Sequence, residues 1–396
     1  MNKLIKYSAF FVGAIGINQV LIISPEVNQS IYYGICGLFF IMLLFSGGID
    51  KLNIFLSGFL FFAVVSIMMN TIPSQFQPWF RLVSFIIMVG LLGPFISSPK
   101  FFAFRYFTFS KVNLFILILG SSSFLTKIVP MGVAEGRGGW SGLFVHTMIL
   151  GPMAAISMVL ALYLYYNEKI SCRPRKNWLL LYQVCMASSF FSLLLASSRT
   201  AILACIGALI FFFYKIYQDR LSRFFTKIIL ISGLLIFSSP LWLSYAEGIQ
   251  DKMHQSEKKG DLVSTRRAIW DARFLEFYES PIFGVGFAHL KYNAKKKKDD
   301  DGKIEPGSSF LATLSMTGIL GFLMLVGILV SYIIFVIRNK TDVLNIGVLG
   351  SLLVFFSIHM LAEGYLLSSG GVMFFYLWLL LGNIELFKQT GKVQIL

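Results

Sequence analysis

Two arginines and two aromatic residues recur at helical spacing in the segment from Ser264 to Leu290. Trp270, Arg273 and Phe277 follow Arg266 by four, seven and eleven residues, so all four share one face of a helix. The planar guanidinium group of arginine matches a phosphate with two parallel hydrogen bonds. We therefore predict a face that binds an anionic substrate through Arg266, with Trp270 and Arg273 as further substrate contacts. The alternative is an amphipathic helix that touches lipid phosphates without any reaction.

Two other arginines lie at the ends of apolar runs. Arg199 is in the short turn 197–200, where Ser198 adds a hydroxyl group, and Arg81 follows Trp79. A charged side chain costs about 2.5–3.5 kcal/mol at mid-bilayer and less near the interface. One interpretation is therefore that each arginine extends its long side chain to the lipid headgroups, where this cost is small. Arg199 can equally line a cavity that holds an anionic substrate, and both interpretations stay open for it. Arg81 could line the same cavity as a substrate contact, although its position beside Trp79 favours an interfacial anchor.

A proton acceptor is needed if a hydroxyl group is to act as the nucleophile. The candidates are His289, three residues after the Gly-Val-Gly turn 284–286, and Glu305, just before a proline. His146 opens an apolar run and Glu363 ends one, and we predict both as substrate contacts, with Glu363 as a further candidate for the base. For all of them a packed or solvated side chain is the alternative. The histidines have no metal-ligand spacing, so we predict no metal ion and no cofactor.

The composition determines which kind of framework positions these residues. The chain has 396 residues, of which 56% are hydrophobic and only 13% charged, and its mean hydropathy is +0.75. Such values are typical of an all-α polytopic membrane protein. The net charge of +15 does not indicate nucleic-acid binding, because the charges fall in short segments between apolar runs.

Apolar runs predict about twelve transmembrane helices of roughly 20 residues each. They lie near 7–23, 31–48, 53–70, 80–97, 112–128, 143–166, 178–196, 200–217, 225–246, 309–337, 344–362 and 365–387. The chain then divides into residues 1–246 with nine spans, a loop at 247–308 that contains the amphipathic helix, and residues 309–396 with three spans.

The distribution of lysine and arginine predicts the orientation. With the N-terminus inside, most of these residues fall in inner segments, while the short outer segments carry only Lys127, Arg137 and Arg199, and Arg81 lies just inside a span. Short loops rich in positive charge stay on the cytoplasmic side. We therefore expect both termini in the cytoplasm and the long loop on the outer face.

Four segments carry a family resemblance through their order and spacing. They are 138–142 within GGWSGLFVHTMILG, the Ser198-Arg199-Thr200 turn, Arg266 to Trp270 followed by PIFGVG at 281–286, and GSSFLATLSMTGILG at 307–321. Together they resemble the O-antigen ligase and O-antigen (exopolysaccharide) polymerase superfamily of bacterial membrane glycosyltransferases, best over the C-terminal two-thirds of the chain. One departure is that many members have a His-Asn pair where this chain has Ser308 and Ser309. The resemblance therefore implies no histidine base at that position, and Glu305, His289 or no protein base at all remain open.

The resemblance implies a metal-independent glycosyl transfer on the outer, periplasmic face of the bacterial inner membrane. The donor would be a glycan on undecaprenyl diphosphate, and the acceptor a sugar hydroxyl of another glycan or of lipid A core. Arg199 and Arg266 would hold the diphosphate leaving group. Membrane lipids would surround the protein, and the chain-length regulator and flippase of the same pathway would be its partners.

Three functions remain open at this point. A polymerase adds repeat units from one lipid-linked donor to another, and the missing histidine slightly favours it. A ligase moves the finished glycan to lipid A core or to a protein. A transporter of lipid-linked glycans ranks third, because transporters typically show inverted repeats and ionisable pairs near mid-bilayer, whereas the ionisable groups here gather at one face.

Overall fold

The part of the chain that the structure describes is nearly all-α. A computed structural model describes residues 2–25, 27–129, 139–257, 264–292 and 306–396. Among these residues it has fifteen α-helices, three short 3-10 helices and one two-stranded antiparallel ribbon. The helices are α1 (Asn2–Asn18), α2 (Gln29–Gly47), α3 (Ile54–Met69), α4 (Pro78–Leu91), α5 (Pro99–Ser122), α6 (Thr147–Ile170), α7 (Lys176–Leu195), α8 (Arg199–Ile216), α9 (Leu221–Phe237), α10 (Ser239–Trp242), α11 (Glu247–Glu257), α12 (Ser264–Glu279), α13 (Ser309–Arg338), α14 (Val343–His359) and α15 (Val372–Thr390). The ribbon pairs β1 (Lys51–Leu52) with β2 (Ile96–Ser97), Lys51 opposite Ser97.

The length and composition of the helices indicate a polytopic membrane protein and leave the number of spans open. Within the described residues, six helices are long and apolar enough to cross a membrane, or seven if α9 and the segment 239–250, bent by 62°, form one broken span. Helices α1, α3, α4 and α14 have only 14 to 17 residues, fewer than the roughly 20 that a span needs. The count of twelve therefore stays a prediction.

The core of the bundle surrounds the last helix. Every residue of α15 from Val372 to Phe387 is buried, whereas α9 has no buried residue. Phe45 on α2 is 90% exposed and Phe237 on α9 is 86% exposed. Water would solvate such an apolar surface poorly, so the exposed faces of these helices suit a lipid environment.

Helix α5 begins 13 residues before the apolar run that predicts it. The run starts at 112, but the helix starts at Pro99 and includes the fully buried Arg105, which the sequence places in an inner loop. The Arg105 guanidinium donates to the carbonyls of Gly90 (2.8 Å) and Leu91 (3.1 Å). These are the last residues of α4, whose carbonyls have no partner within the helix. Two of the three guanidinium nitrogens of Arg105 are therefore bonded to the main chain inside the bundle, and the helix continues past this residue.

Helix α13 is broken at Gly318, and the segment 281–285 fills the break. Gly318 has φ +66° and ψ −172°, and the remaining stretch 319–338 is roughly 30 Å long, the thickness of the hydrocarbon core. Main-chain bonds run from Val285 N–H to Ser315 O (2.9 Å) and from Ile319 N–H to Pro281 O (2.8 Å). The loop after α12 thus supplies hydrogen bonds on both sides of the break.

Glycine is required at this crossing, because the two backbones lie too close for a side chain. A Cβ atom on Gly284 (φ +73°) would lie 2.4 Å from the carbonyl carbon of Met316, and one on Gly318 would lie 2.2 Å from Ile282 O. We expect Gly284→Ala to destabilise the protein by about 1–3 kcal/mol through overpacking. Thermal unfolding of the purified protein in detergent measures this effect.

Gly233→Ala is the matched control for that prediction. Gly233 lies on α9, and a Cβ atom there meets nothing within 4 Å. Its variant should unfold at the temperature of the unsubstituted protein or slightly above it, because alanine suits a helix interior better than glycine. Equal unfolding temperatures for the Gly284 and Gly233 variants would show that the crossing tolerates a side chain.

Candidate functional site

Arg266 joins three separate parts of the chain. Its Nη1 donates to the carbonyl of Gly307 (3.1 Å), and its Nη2 forms an ion pair with Glu363 Oε1. Trp270, one turn further along α12, donates its indole N–H to the same carbonyl (3.3 Å). The side chains of Arg266 and Glu363 are 27% and 19% exposed. The structure therefore brings Arg266, Trp270 and Glu363 together at a partly open site.

Ser309 fixes the position of Glu363. Its hydroxyl donates to Glu363 O (2.7 Å) and accepts from the N–H groups of Tyr365 (3.1 Å) and Leu366 (3.2 Å). Its own N–H points to the carbonyls of Met360 and Glu363 (3.0 Å each). A hydroxyl with one donor bond and two acceptor bonds is fully used. Ser309 thus holds the segment after α14 against the start of α13 and is not available as a base.

His359, the last residue of α14, and Tyr365, on the segment after it, also belong to the site, and the sequence does not indicate this. His359 is 2% exposed at the last residue of α14. Its Nδ1 is 3.1 Å from the Tyr365 hydroxyl, and its ring stacks on Phe355 with centroids 5.4 Å apart. In the sequence, only the spacing of four residues between His359 and Glu363 could have indicated that the two residues lie close together. Both residues support the segment that carries Glu363.

Arg273 lies on the same face as Arg266 but has structural partners. It is 2% exposed and pairs with the fully buried Glu276 (3.0 Å). Arg273 Nη2 donates to Tyr292 O, while Glu276 Oε1 accepts from Tyr292 N–H (2.9 Å). Burial raises the pKa of the Glu276 carboxyl and lowers that of Arg273, while the charge of each partner opposes the shift of the other. The pair clamps the peptide groups of Tyr292 onto α12.

This arrangement predicts a structural effect for Arg273→Ala. Breaking a buried ion pair leaves an uncompensated charge and costs about 3–5 kcal/mol. The double variant Arg273→Met/Glu276→Leu should lose less stability, because it removes both charges. Thermal unfolding in detergent, with Arg267→Ala on the exposed side of α12 as the control, tests this order. An Arg273→Ala protein that melts normally but no longer binds lipid diphosphate would instead support the substrate contact indicated by the sequence.

His289 lines a cleft at the other end of α12. Its Nδ1 is 3.1 Å from Val285 O, and because a carbonyl only accepts, the Nδ1 atom of the neutral ring carries the proton and Nε2 is the acceptor. The cleft has a volume of about 470 Å³, and Glu279 also lines it. At the rise of an α-helix, Arg266 and Glu279 are roughly 20 Å apart along α12. The structure therefore does not place His289 beside the Arg266 site.

The remaining predicted site residues lie on other elements or outside the described residues. Ser198 caps α8 and accepts from Ala201 N–H (3.4 Å). Arg199 is the first residue of α8 and is half-buried, as is Arg81 in the first turn of α4. His146 is exposed just before α6. Glu305, Arg137 and Gly138 lie outside the residues that the structure describes.

Arg199 has a setting that suits an anion. It begins α8, where the positive end of the helix dipole favours negative charge. We expect Arg199→Ala to abolish glycan product in cells at a normal protein level, because one cation fewer would hold the diphosphate. Product on a gel, normalised to protein in the membrane fraction, measures this. A wild-type amount of product would leave Arg199 as a lipid-contacting residue.

Residues 184–326 match a protein-family model described as O-antigen ligase. This region is an O-antigen ligase family domain. The domain includes Arg199, Arg266 and His289, whereas Glu363 lies beyond its end. No curated protein matches the chain.

The match indicates the general class of enzyme to which this domain is similar. Members of the family are membrane glycosyltransferase-like enzymes, and the family implies a lipid-linked glycan and an acceptor as substrates. Within the domain, Arg266 and Trp270 on α12 both donate to the carbonyl of Gly307, which lies just before α13. The apolar helices and the family together indicate an inner-membrane protein.

Proposed function

We propose that the protein is an inner-membrane glycan polymerase. It transfers oligosaccharide repeat units from undecaprenyl diphosphate to a sugar hydroxyl on the periplasmic face, in O-antigen or exopolysaccharide synthesis. The observation that carries the proposal is the Arg266–Glu363 ion pair. A guanidinium group that holds a carboxylate at a partly open site has the charge and geometry to hold a phosphate in its place.

The ion pair suggests how the donor enters. Arg266 has one carbonyl partner and one carboxylate partner, and a diphosphate carries more negative charge than the carboxylate. The diphosphate replaces Glu363 on Nη2, and Trp270 keeps Gly307 in place through its own bond to that carbonyl. Arg199, at the start of α8, supplies a second positive charge to the leaving group.

The displaced Glu363 carboxylate then lies beside the leaving group and acts as the general base. The acceptor hydroxyl gives its proton to Glu363, and the acceptor oxygen forms a bond to the anomeric carbon of the donor sugar. The bond between that carbon and the phosphate oxygen breaks, and the electron pair leaves with the diphosphate on Arg266. Among the three candidates for the base, the geometry supports Glu363 best, and Glu305 and His289 stay predictions.

The positive-inside pattern supports the location in the membrane. Both termini lie in the cytoplasm, and α12 lies in a long outer loop. In this topology four helix ends lie on the outer face beside the long loop. They are the ends of α3 and α14 and the starts of α4 and α13. The lipid-linked donor then enters from the outer leaflet.

A ligase is the second candidate. The description of the matching family model, O-antigen ligase, favours it. A ligase would use the same diphosphate site and differ in the acceptor, which would be lipid A core or a protein. The serines at 308 and 309, where many members have His-Asn, support the polymerase.

One experiment separates the two candidates. The purified protein in nanodiscs is given undecaprenyl-diphosphate repeat units with no other acceptor, and the glycan length is followed on a gel. We expect a growing ladder. Lengthening only after addition of lipid A core or an acceptor protein would identify a ligase, and no turnover in either case would favour the transporter.

A further inference from the structure

A cleft at the C-terminal end of α12 has a role that the diphosphate site does not explain. It lies between the segment after α3, the last turn of α12 and the segment 285–291, and its volume is about 470 Å³. Asn70, Thr71, Phe76, Glu279, Ser280 and His289 are among its lining residues. We call it the Phe76 cleft. Its size is within the range of small-molecule sites in proteins.

The walls of the Phe76 cleft are held by bonds to the main chain. The Asn70 amide group donates to Ser66 O (2.8 Å) and to Gly284 O (3.0 Å). The ring of His289 is fixed by Val285 O and by the edge of Phe76, with ring centroids 5.0 Å apart. A pocket whose side chains are fixed in advance loses little entropy when it binds a ligand.

The charges of the Phe76 cleft cancel one another. Glu279 and Lys291 form an ion pair of 2.6 Å, and the Tyr292 hydroxyl donates to the same carboxylate. The other polar groups are an amide, two hydroxyls and an imidazole, beside one phenyl ring. This lining suits a neutral ligand that has many hydroxyl groups and an apolar C–H face, and it does not suit a phosphate.

We propose that the Phe76 cleft binds sugar residues of the glycan, several sugars away from the diphosphate. The separation of roughly 20 Å between Arg266 and Glu279 along α12 gives the span that the glycan must bridge. This inference rests on the proposed function, because it assumes that the substrate is a glycan held at Arg266. One helix would then carry the diphosphate site at its start and the saccharide site at its end.

Two separate ligands test the proposal. The first is the oligosaccharide repeat unit released from its lipid, and the second is undecaprenyl diphosphate without sugar. Each is titrated against the purified full chain in nanodiscs by isothermal calorimetry. The variants are Thr71→Ala and His289→Ala in the cleft and Arg266→Ala in the diphosphate site, each checked for unchanged thermal unfolding.

We expect the two kinds of variant to affect different ligands. His289→Ala should weaken saccharide binding about tenfold, the effect of one lost hydrogen bond, and should leave lipid diphosphate binding unchanged. Arg266→Ala should have the opposite pattern. If the unsubstituted protein does not bind the saccharide, or if the cleft variants bind it normally, the saccharide site is refuted while the diphosphate site stands. Failure of the lipid diphosphate to bind the unsubstituted protein would overturn the proposed function instead.

Discussion

Arg266→Ala is expected to abolish glycan synthesis while the protein remains in the membrane at its normal level. The change removes the guanidinium group that holds Glu363 and Gly307 and that would hold the leaving group. Loss of one group that stabilises charge in a transition state typically costs about 2.7–4 kcal/mol, or a factor of 10² to 10³ in rate. Turnover of lipid-linked repeat units by the purified variant measures the loss directly.

The neighbouring arginine provides a matched control. Arg267 follows Arg266 on α12 but is exposed, so Arg267→Ala removes the same charge from the same helix and should leave turnover near normal. Arg266→Lys keeps the charge but cannot form two parallel bonds, and we expect an intermediate rate. Equal turnover by the Arg266 and Arg267 variants would show that the diphosphate is held elsewhere.

Glu363→Gln should separate binding from catalysis. The amide cannot accept the proton of the acceptor hydroxyl, so turnover should fall by about 10²- to 10⁴-fold. The binding of undecaprenyl diphosphate should be retained or become tighter, because the carboxylate that competes for Arg266 is gone. Calorimetry with the sugar-free lipid, together with turnover under saturating donor, gives the two values.

The control for this variant is Asp271→Asn, which neutralises an exposed carboxylate on α12 and should change neither value. Glu363→Asp, which keeps a base but shortens it, should recover part of the turnover. If Glu363→Gln loses lipid binding as completely as Arg266→Ala does, Glu363 serves only to position the arginine, and the base must be sought elsewhere.

The sequence predicts part of this site because helical spacing is local. The approximate extent of α12, with Pro281 beyond its end, can be predicted from the local sequence. The spacing of four residues between Arg266 and Trp270 places both side chains on one face, where both donate to the carbonyl of Gly307. The partner of Arg266 could not be read in the same way, because Glu363 is 97 residues further along the chain. Such a contact depends on how α12, α13 and α14 pack.

Burial is the second reason why the sequence misjudges some residues. Arg266 and Arg273 share a helical face and a residue type, but only packing reveals that Arg273 is enclosed with Glu276. The break in α13 is hidden for a similar reason. The run 309–337 contains no charged residue. The backbone that fills the break comes from the segment 281–285, in the loop between α12 and α13.

The crossing at Gly318 also bears on when the site forms during synthesis of the chain. Ser66 on α3 donates to Met316 O beside the break, across 250 residues, and Asn70 donates to Gly284 O across 214. Contacts between such distant residues carry a large loop-closure cost and form late in folding. Most of the helical bundle can therefore insert before the diphosphate site exists, and a nascent chain cannot capture a lipid-linked donor until α13 and the segment after α14 have emerged.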